Sequence, residues 1–225
     1  NMEVDTWDVS TAFLFAPADA SMFVEQPDGY IDPKYPKSEW VYKLKKTIYG
    51  TKQAGRNWNK HLTKILKNLD EKEPGFCFKQ SKADDCLFIM DYKGSKIYIV
   101  VHVDDMAVFY TDRKLKERVF RKIAEKVTLK DEGKIGMFLG LRVKKNLDNS
   151  YFLNQTHYIE TLGERFGLTN TCCEGVSLPY TPSIKLTSDM LPQNREEEIQ
   201  AAKLPYQELI GGMNYLMLTR PELSY

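Results

Sequence analysis

The sequence predicts an α+β fold built around an antiparallel sheet covered by helices. Three observations predict it. Apolar runs of strand length (Cys86 to Asp91, Ile97 to His102, Met106 to Tyr110) follow one another through short turns. Two amphipathic stripes at helical spacing lie outside those runs. No strand–helix–strand alternation signals a doubly wound parallel sheet.

Taken in order, Trp7 to Phe15 has the Val, Thr and Phe content of a strand running into a turn at Ala16–Ala20. Met22–Gln26 and Trp40–Leu44 read as short extended pieces around a loop of breakers, Pro27, Gly29, Pro33 and Pro36. From Gln53 to Leu69 the apolar positions Trp58, Leu62, Ile65, Leu66 and Leu69 define one helix, with Arg56, Lys60, Lys64 and Lys67 on its other face. Cys86–Asp91 and Ile97–His102 form a hairpin around Gly94, and Met106–Tyr110 is the next strand. Leu115, Val119, Ile123 and Val127 mark a second helix. Met137–Val143 and Tyr151–Asn154 pair around Asp148–Asn149, Tyr158–Phe166 is helical up to Gly167, and Tyr206–Leu218 is a last helix ended by Arg220–Pro221. Residues 169–204, rich in Thr, Ser, Pro and charge, read as a linker or irregular segment between a domain at 1–168 and a short piece at 205–225.

The 225 residues, 42% hydrophobic and 28% charged, suffice for a real core. No apolar run approaches the roughly 20 residues of a membrane span. The longest, Lys96 to Tyr110, is cut by two aspartates, and the first residues carry no secretory signal. Cys77, Cys86, Cys172 and Cys173 contain no C-x-x-C pair, so free thiols in a reducing, intracellular compartment are expected, with neither zinc site nor disulfide frame. Lys+Arg 32 against Asp+Glu 31 leaves a net charge of +1, which by itself says nothing of a polyanionic partner. The distribution says more, because basic residues crowd Lys43 to Arg56.

The chemistry is expected at Val103-Asp104-Asp105, between two very apolar strands. Ionised carboxylates there are costly unless a cation or hydrogen-bond donors meet them. An exposed turn is the plain alternative, since Asp is common in turns. Yet tight hairpins favour Asn-Gly or Asp-Gly, and Asp-Asp-Met is a poor substitute. Asp8 is a second aspartate in an apolar strand. Oxygen ligands of this kind suit magnesium, and two-metal sites need shared carboxylates. Alternation along a strand makes Asp104 the expected firmer ligand and Asp105 the outer one.

These residues carry a resemblance. Asp8-Val-Ser-Thr-Ala-Phe13, Lys43-Leu-Lys-Lys-Thr-Ile-Tyr-Gly-Thr-Lys-Gln-Ala54 and Val103-Asp-Asp105 resemble motifs A, B and C of reverse transcriptases, most closely those of copia-like LTR retrotransposons, whose Pol polyproteins contain such a domain. Met22–Gly29, Ser81–Phe88, Phe138–Arg142 and Tyr206–Gly211 with Thr219–Pro221 resemble further blocks of that family in the same order, so the likeness covers nearly the whole chain. It implies a right-hand polymerase palm with partial fingers and a small helical thumb-like C-terminal part. The implied activity is RNA-directed DNA synthesis on a template-primer from dNTPs, using two Mg2+ ions, or Mn2+, held by Asp8, Asp104 and Asp105. Phe13 matches the aromatic under the incoming sugar, where its bulk excludes a 2′-hydroxyl. Gln53, with Lys52, matches the nucleotide side of the helix start, and Lys43, Lys45, Lys46 and Arg56 match positions suited to the nucleic-acid backbone. Lys130 and Lys134 both sit where a proton donor to pyrophosphate is sought, and the sequence does not choose between them.

His102 departs from the family's usual Tyr, and Asp84-Asp85 is a decoy in a loop. His61 and His157 have no partners at ligand spacing. The chain starts seven residues before Asp8, where family members carry a fingers segment with triphosphate-gripping basic residues. Several expectations therefore stand side by side: a reverse transcriptase domain working with other parts of a polyprotein, in a cytoplasmic particle or the nucleus; a truncated, catalytically inactive relic; a nucleic-acid-binding module; or another palm-type magnesium enzyme that uses no template, against which the basic Lys43–Arg56 stretch argues.

Overall fold

A computed structural model of the protein describes residues 2–168 and 185–224. Cys172, Cys173 and the first sixteen residues of the expected linker lie outside them. The chain divides into two compact units, Asn1–Phe138 and Leu139–Tyr225.

The first unit is a mixed α+β body around a six-stranded antiparallel sheet. Its elements are β1 (Glu3–Val9), β2 (Phe23–Val24), β3 (Tyr42–Lys43), α1 (Ala54–Lys67), β4 (Lys79–Gln80), β5 (Leu87–Tyr92), β6 (Ser95–His102), β7 (Asp105–Tyr110), α2 (Arg113–Ala124), β8 (Leu129–Lys134) and β9 (Met137–Phe138). The sheet order is β4-β5-β6-β7-β1-β8, so the first long strand lies between the last two in sequence. The β5–β6 hairpin turns on Lys93 and Gly94, at φ 51° and 81°, a pair of left-handed residues that matches strand twist. Asp112 caps α2, its carboxylate accepting from the backbone N–H of Lys114 at 2.8 Å.

One face of the sheet makes the core. Trp7 and Val9 of β1, Met106 and Val108 of β7, and Ile97, Ile99 and Val101 of β6 share that face by register and pack with Trp58, Leu62 and Leu66 of α1 and Val119 and Ile123 of α2. The expected helices thus form because their apolar stripes meet the apolar side of the strands. The opposite face carries Thr6 and Asp8 of β1, Ala107 and Asp105 of β7, and His102 of β6.

The strand expected from Trp7 to Phe15 lies earlier. β1 ends at Val9, and Thr11, at φ 56°, starts a 3-10 helix over Ala12–Phe15. β8, the polar sequence LKDEGK, was not expected; it forms because β1 offers it an unpaired ladder, and a bulge falls between Thr6 and Trp7. In the second unit β10 (Leu141–Lys145) pairs antiparallel with β11 (Tyr151–Asn154), followed by α3 (Thr156–Arg165), α4 (Arg195–Ala202) and α5 (Tyr206–Leu216). The expected run Met137–Val143 is interrupted at Leu139 and Gly140, both at positive φ. The described part of the expected linker contains α4, capped by Asn194 and fully exposed, with three glutamates in its first turn. Gln155 ties α5 to the start of α3 by donating to the Tyr215 carbonyl at 3.1 Å and accepting from Thr219 at 2.7 Å. Among the described residues, no helix is long and apolar enough to cross a membrane.

A buried ion network sits under β1. Lys116 of α2, 6% exposed, places Nζ 2.8 Å from Asp5 and 3.0 Å from Asp131. Asp5, 4% exposed, also meets Lys134 at 3.1 Å and accepts from the Tyr110 hydroxyl at 3.0 Å. Burial pushes the Asp5 carboxyl up, but the bonds from Lys116, Lys134 and Tyr110 outweigh it and hold the pKa below the ordinary 3.8. For Lys116, burial lowers the pKa and the bonds to Asp5 and Asp131 more than reverse it. A cavity of about 590 Å3 opens beside this network, and its walls include Arg113 and Glu132. Lys116→Met, which leaves Asp5 buried with half its compensation, will destabilise the protein by about 3 kcal/mol in urea unfolding. The sign of the pH dependence follows from the two shifts. The Asp5 contribution is complete above pH 3.8 and is lost as pH falls through its lower folded value, and that of Lys116 is complete below 10.5 and is lost as pH rises through its higher folded value. Asp5→Asn will therefore flatten the acid limb of the wild-type stability profile.

Candidate active site

Asp8 and Asp105 are direct cross-strand partners on β1 and β7. Directly opposed side chains in such a pair have Cβ atoms about 4.5–5.5 Å apart, and like charges there are destabilising. Asp104 stands one residue further, in the two-residue turn Val103–Asp104 between β6 and β7, and its carbonyl accepts from the Val9 N–H at 3.0 Å. Register thus places Asp105, rather than Asp104, squarely opposite Asp8. On the other flank Asp8 faces Lys130 of β8, but the Lys130 ammonium is 3.1 Å from Glu132.

The electrostatics follow from this crowding. Burial raises the Asp105 pKa above the ordinary 3.8, and Asp104, Asp8 and Glu132 raise it further, while His102 opposes them. Among the described residues, no lysine or arginine forms an ion pair with Asp8, Asp104 or Asp105. Nor are three or more His, Cys, Asp or Glu side chains already closed into a metal-holding group. The donor set is still one that fits a hard divalent cation: carboxylate oxygens, mutually repelling and uncompensated.

The turn itself is strained. Val103 has φ 57° while Asp104 is not left-handed, a pattern that usually takes Gly at the first turn position. A β-branched residue there costs about 1–2 kcal/mol. Trp58, 1% exposed on the inner face of α1, donates its indole N–H to the Val103 carbonyl at 2.5 Å. Its burial excludes the base-stacking role that its aromatic character allows.

The segment after β1 brings the other expected residues near one another. Phe13 lies in the 3-10 helix, half-buried, its ring 4.8 Å from that of the exposed Tyr49. Thr47, fully buried, makes this happen: its hydroxyl donates to the Phe13 carbonyl at 2.5 Å and its N–H to the Ala16 carbonyl at 3.0 Å. The same strip continues with Ala18 N–H to Lys45 and Leu44 N–H to Met22, so the basic segment 43–46 is docked along the stretch that leaves the Asp8 strand. Asn57 of α1 pins the loop from the other side, donating to Asp19 at 2.9 Å. Gln53 occupies the cap position of α1, with Lys52 and Arg56 exposed on either side. Lys43, Lys45 and Lys46 are exposed too, and among the described residues none of these five cations forms an ion pair.

Sequence reasoning missed Thr47, Asp5 and Lys116. Thr47 has no distinguishing sequence signal. Asp5 had one, an aspartate three residues before Asp8 in the same apolar strand. Lys134 belongs to the Asp5 network on the core face: burial lowers its pKa, but bonds with Tyr110, Glu3 and Asp5 drive it well above the ordinary lysine value. Lys130, not Lys134, is the one in register with Asp8.

A family model described as reverse transcriptase (RNA-dependent DNA polymerase) matches residues 1–182. The chain belongs to the reverse transcriptase family. Over 100% of its length this reverse transcriptase domain is 30% identical to a retrovirus-related Pol polyprotein from transposon TNT 1-94 of Nicotiana tabacum. Over 97% of its length it is 30% identical both to a putative transposon Ty5-1 protein of Saccharomyces cerevisiae and to a retrovirus-related Pol polyprotein from transposon RE1 of Arabidopsis thaliana. It spans 16%, 66% and 14% of the lengths of those three proteins. These relatives bear out the copia-like resemblance.

The raised pKa of Asp105 has a consequence for stability. A carboxylate whose folded pKa lies above its unfolded value destabilises the fold once pH exceeds the folded value, and the cost vanishes below 3.8. Asp105→Asn will therefore raise the melting midpoint at pH 7. The gain will disappear below pH 3.8, as scanning calorimetry across pH will check.

Proposed function

We propose that the domain catalyses RNA-directed DNA synthesis onto a primer 3′-hydroxyl, with its six-stranded sheet as the palm. The stretch between β1 and α1 forms partial fingers, and α5 begins a thumb-like part. The observation that carries the reading is the placement of Asp8 opposite Asp105, with Asp104 beside them and, among the described residues, no lysine or arginine in an ion pair with the three. A fold tolerates such an arrangement where a bound cation completes it.

Asp8, Asp104 and Asp105 hold two Mg2+ ions, with Mn2+ as a substitute. When bound, these supply activation of the primer hydroxyl and neutralisation of charge on the triphosphate. The rest falls to the chain's own side chains. Phe13, braced by Tyr49, sets the floor for the incoming sugar and excludes a 2′-hydroxyl. Gln53 and Lys52, at the start of α1, meet the nucleotide where the helix dipole favours phosphate. Lys43, Lys45, Lys46 and Arg56 hold the template-primer backbone without reading its sequence. Lys130, in register with Asp8, is the better placed proton donor to the leaving pyrophosphate once it releases Glu132, because Lys134 is held in the Asp5 network on the other face of the sheet. The domain acts inside the cell beside other parts of a retrotransposon polyprotein.

Primer extension on poly-rA/oligo-dT with magnesium tests this. Asp104→Asn will lose extension by at least about 100-fold while keeping salt-dependent template binding. Binding without extension in the wild type as well would instead identify an inactive nucleic-acid-binding module. Phe13→Val will raise ribonucleotide incorporation relative to deoxynucleotide by about tenfold, the discrimination one small steric change supports. Equal loss of both substrates would rule out a sugar-selecting role.

A further inference from the structure

Trp58 makes a contact that core packing alone does not require. Its ring fills the space between α1 and the sheet, and an apolar ring of similar size would do that equally well. Its N–H, however, reaches the carbonyl of Val103, the strained residue at the tip of the β6–β7 turn. Val103 is itself 40% exposed, so burial of its own side chain does not hold the turn in the left-handed conformation. A cavity of about 290 Å3, walled by Gly55, Trp58, Cys86, His102 and Val103 among others, opens beside the contact. The turn is therefore not wedged by close packing on that side. Beyond the β6–β7 ladder that closes the turn at His102 and Asp105, two hydrogen bonds from other elements fasten it: Val9 N–H to the Asp104 carbonyl from β1, and Trp58 to the Val103 carbonyl from α1.

We propose that Trp58 is a positioning residue for the catalytic turn, its indole N–H keeping Val103 left-handed and thereby fixing Asp104 and Asp105 relative to Asp8. The inference rests on the polymerase reading for its functional meaning, though the tie itself does not depend on it. Trp58 follows Gln53 by five residues on the same helix. The element that presents Gln53 and Lys52 is thus the one that holds the carboxylate turn, and a shift of α1 on nucleotide binding reaches the turn directly.

The test compares wild type with Trp58→Phe, which keeps an apolar ring and removes the donor. Melting shows whether the variant folds. If it does not, benzothienylalanine at 58, which keeps the bicyclic shape and lacks only the N–H, replaces it. The expected result is a fall in kcat for primer extension of about tenfold, the order expected for one lost hydrogen bond, with KM for dNTP changed less than about twofold. Two readouts need no activity. Exchange of the Val9 amide, which bonds to Asp104, will speed up about tenfold, and the affinity for Mn2+ will fall at least about threefold, by the same loss of preorganisation. Trp58→Phe combined with Val103→Gly will recover kcat and Mn2+ affinity to within about threefold of wild type, because glycine adopts a φ of 57° without strain. A lesion that was merely a packing defect would not be rescued at residue 103. Unchanged Val9 exchange and Mn2+ affinity in the folded variant, or failure of the glycine rescue, would overturn the proposal. A wild type that binds Mn2+ and shows the exchange effect yet extends no primer would defeat the polymerase reading and leave the positioning role standing.

Discussion

The rest of the structure depends on the two-residue alternation of β1. Asp5 and Asp8 are three positions apart on one strand and so face opposite sides of the sheet. Both lie in a strand flanked by β7 and β8, and both carry the same short carboxylate side chain. Their surroundings differ. Asp5 meets two ammonium groups and a hydroxyl, which hold it ionised under the helices. Asp8 meets another carboxylate across the ladder, and the lysine on its other flank has turned to Glu132. One acid is a structural anchor and the other is left without an ion-pair partner among the described residues, and the difference lies in what each face supplies.

That asymmetry explains where the protein can bear strain. The core face is over-determined: apolar residues from four strands and two helices interlock, and the ion network adds specific geometry to them. The opposite face carries the unfavourable features, a like-charge pair and a left-handed valine. Strain of this kind persists only where neighbouring structure insists on it. Here β1 and α1 both do, each through a single hydrogen bond to the turn.

Much of this was legible in the sequence, and the misses have physical causes. Asp8, Asp104 and Asp105 stood out because charge within apolar strands is costly, and α1 and α2 because their stripes are strong. The relative placement of Asp104 and Asp105 was not legible, since it hangs on the register of β1 against β7 and on a two-residue turn whose tip takes an unexpected backbone conformation. The 3-10 helix under Phe13 was hidden because Ala12–Phe15 reads as apolar strand, and its conformation is imposed by Thr11 and by the distant Thr47. Lys116 could not be told from the solvated lysines of its helix, because its burial follows from Asp5 lying beneath it.

β8 is the most instructive miss. Its sequence, LKDEGK, has none of the alternation that marks a half-buried strand, and it would pass for a charged loop. Yet β8 is what makes β1 an interior strand, with ladders on both sides, and so keeps Asp8 from the freedom of an edge. The polarity that conceals it from a hydrophobic reading is also what suits it to its place. An exposed edge rich in Lys, Asp and Glu resists pairing with other chains, where an apolar one would invite it. The strand that secures Asp8 is therefore one that a search for apolar periodicity is bound to overlook.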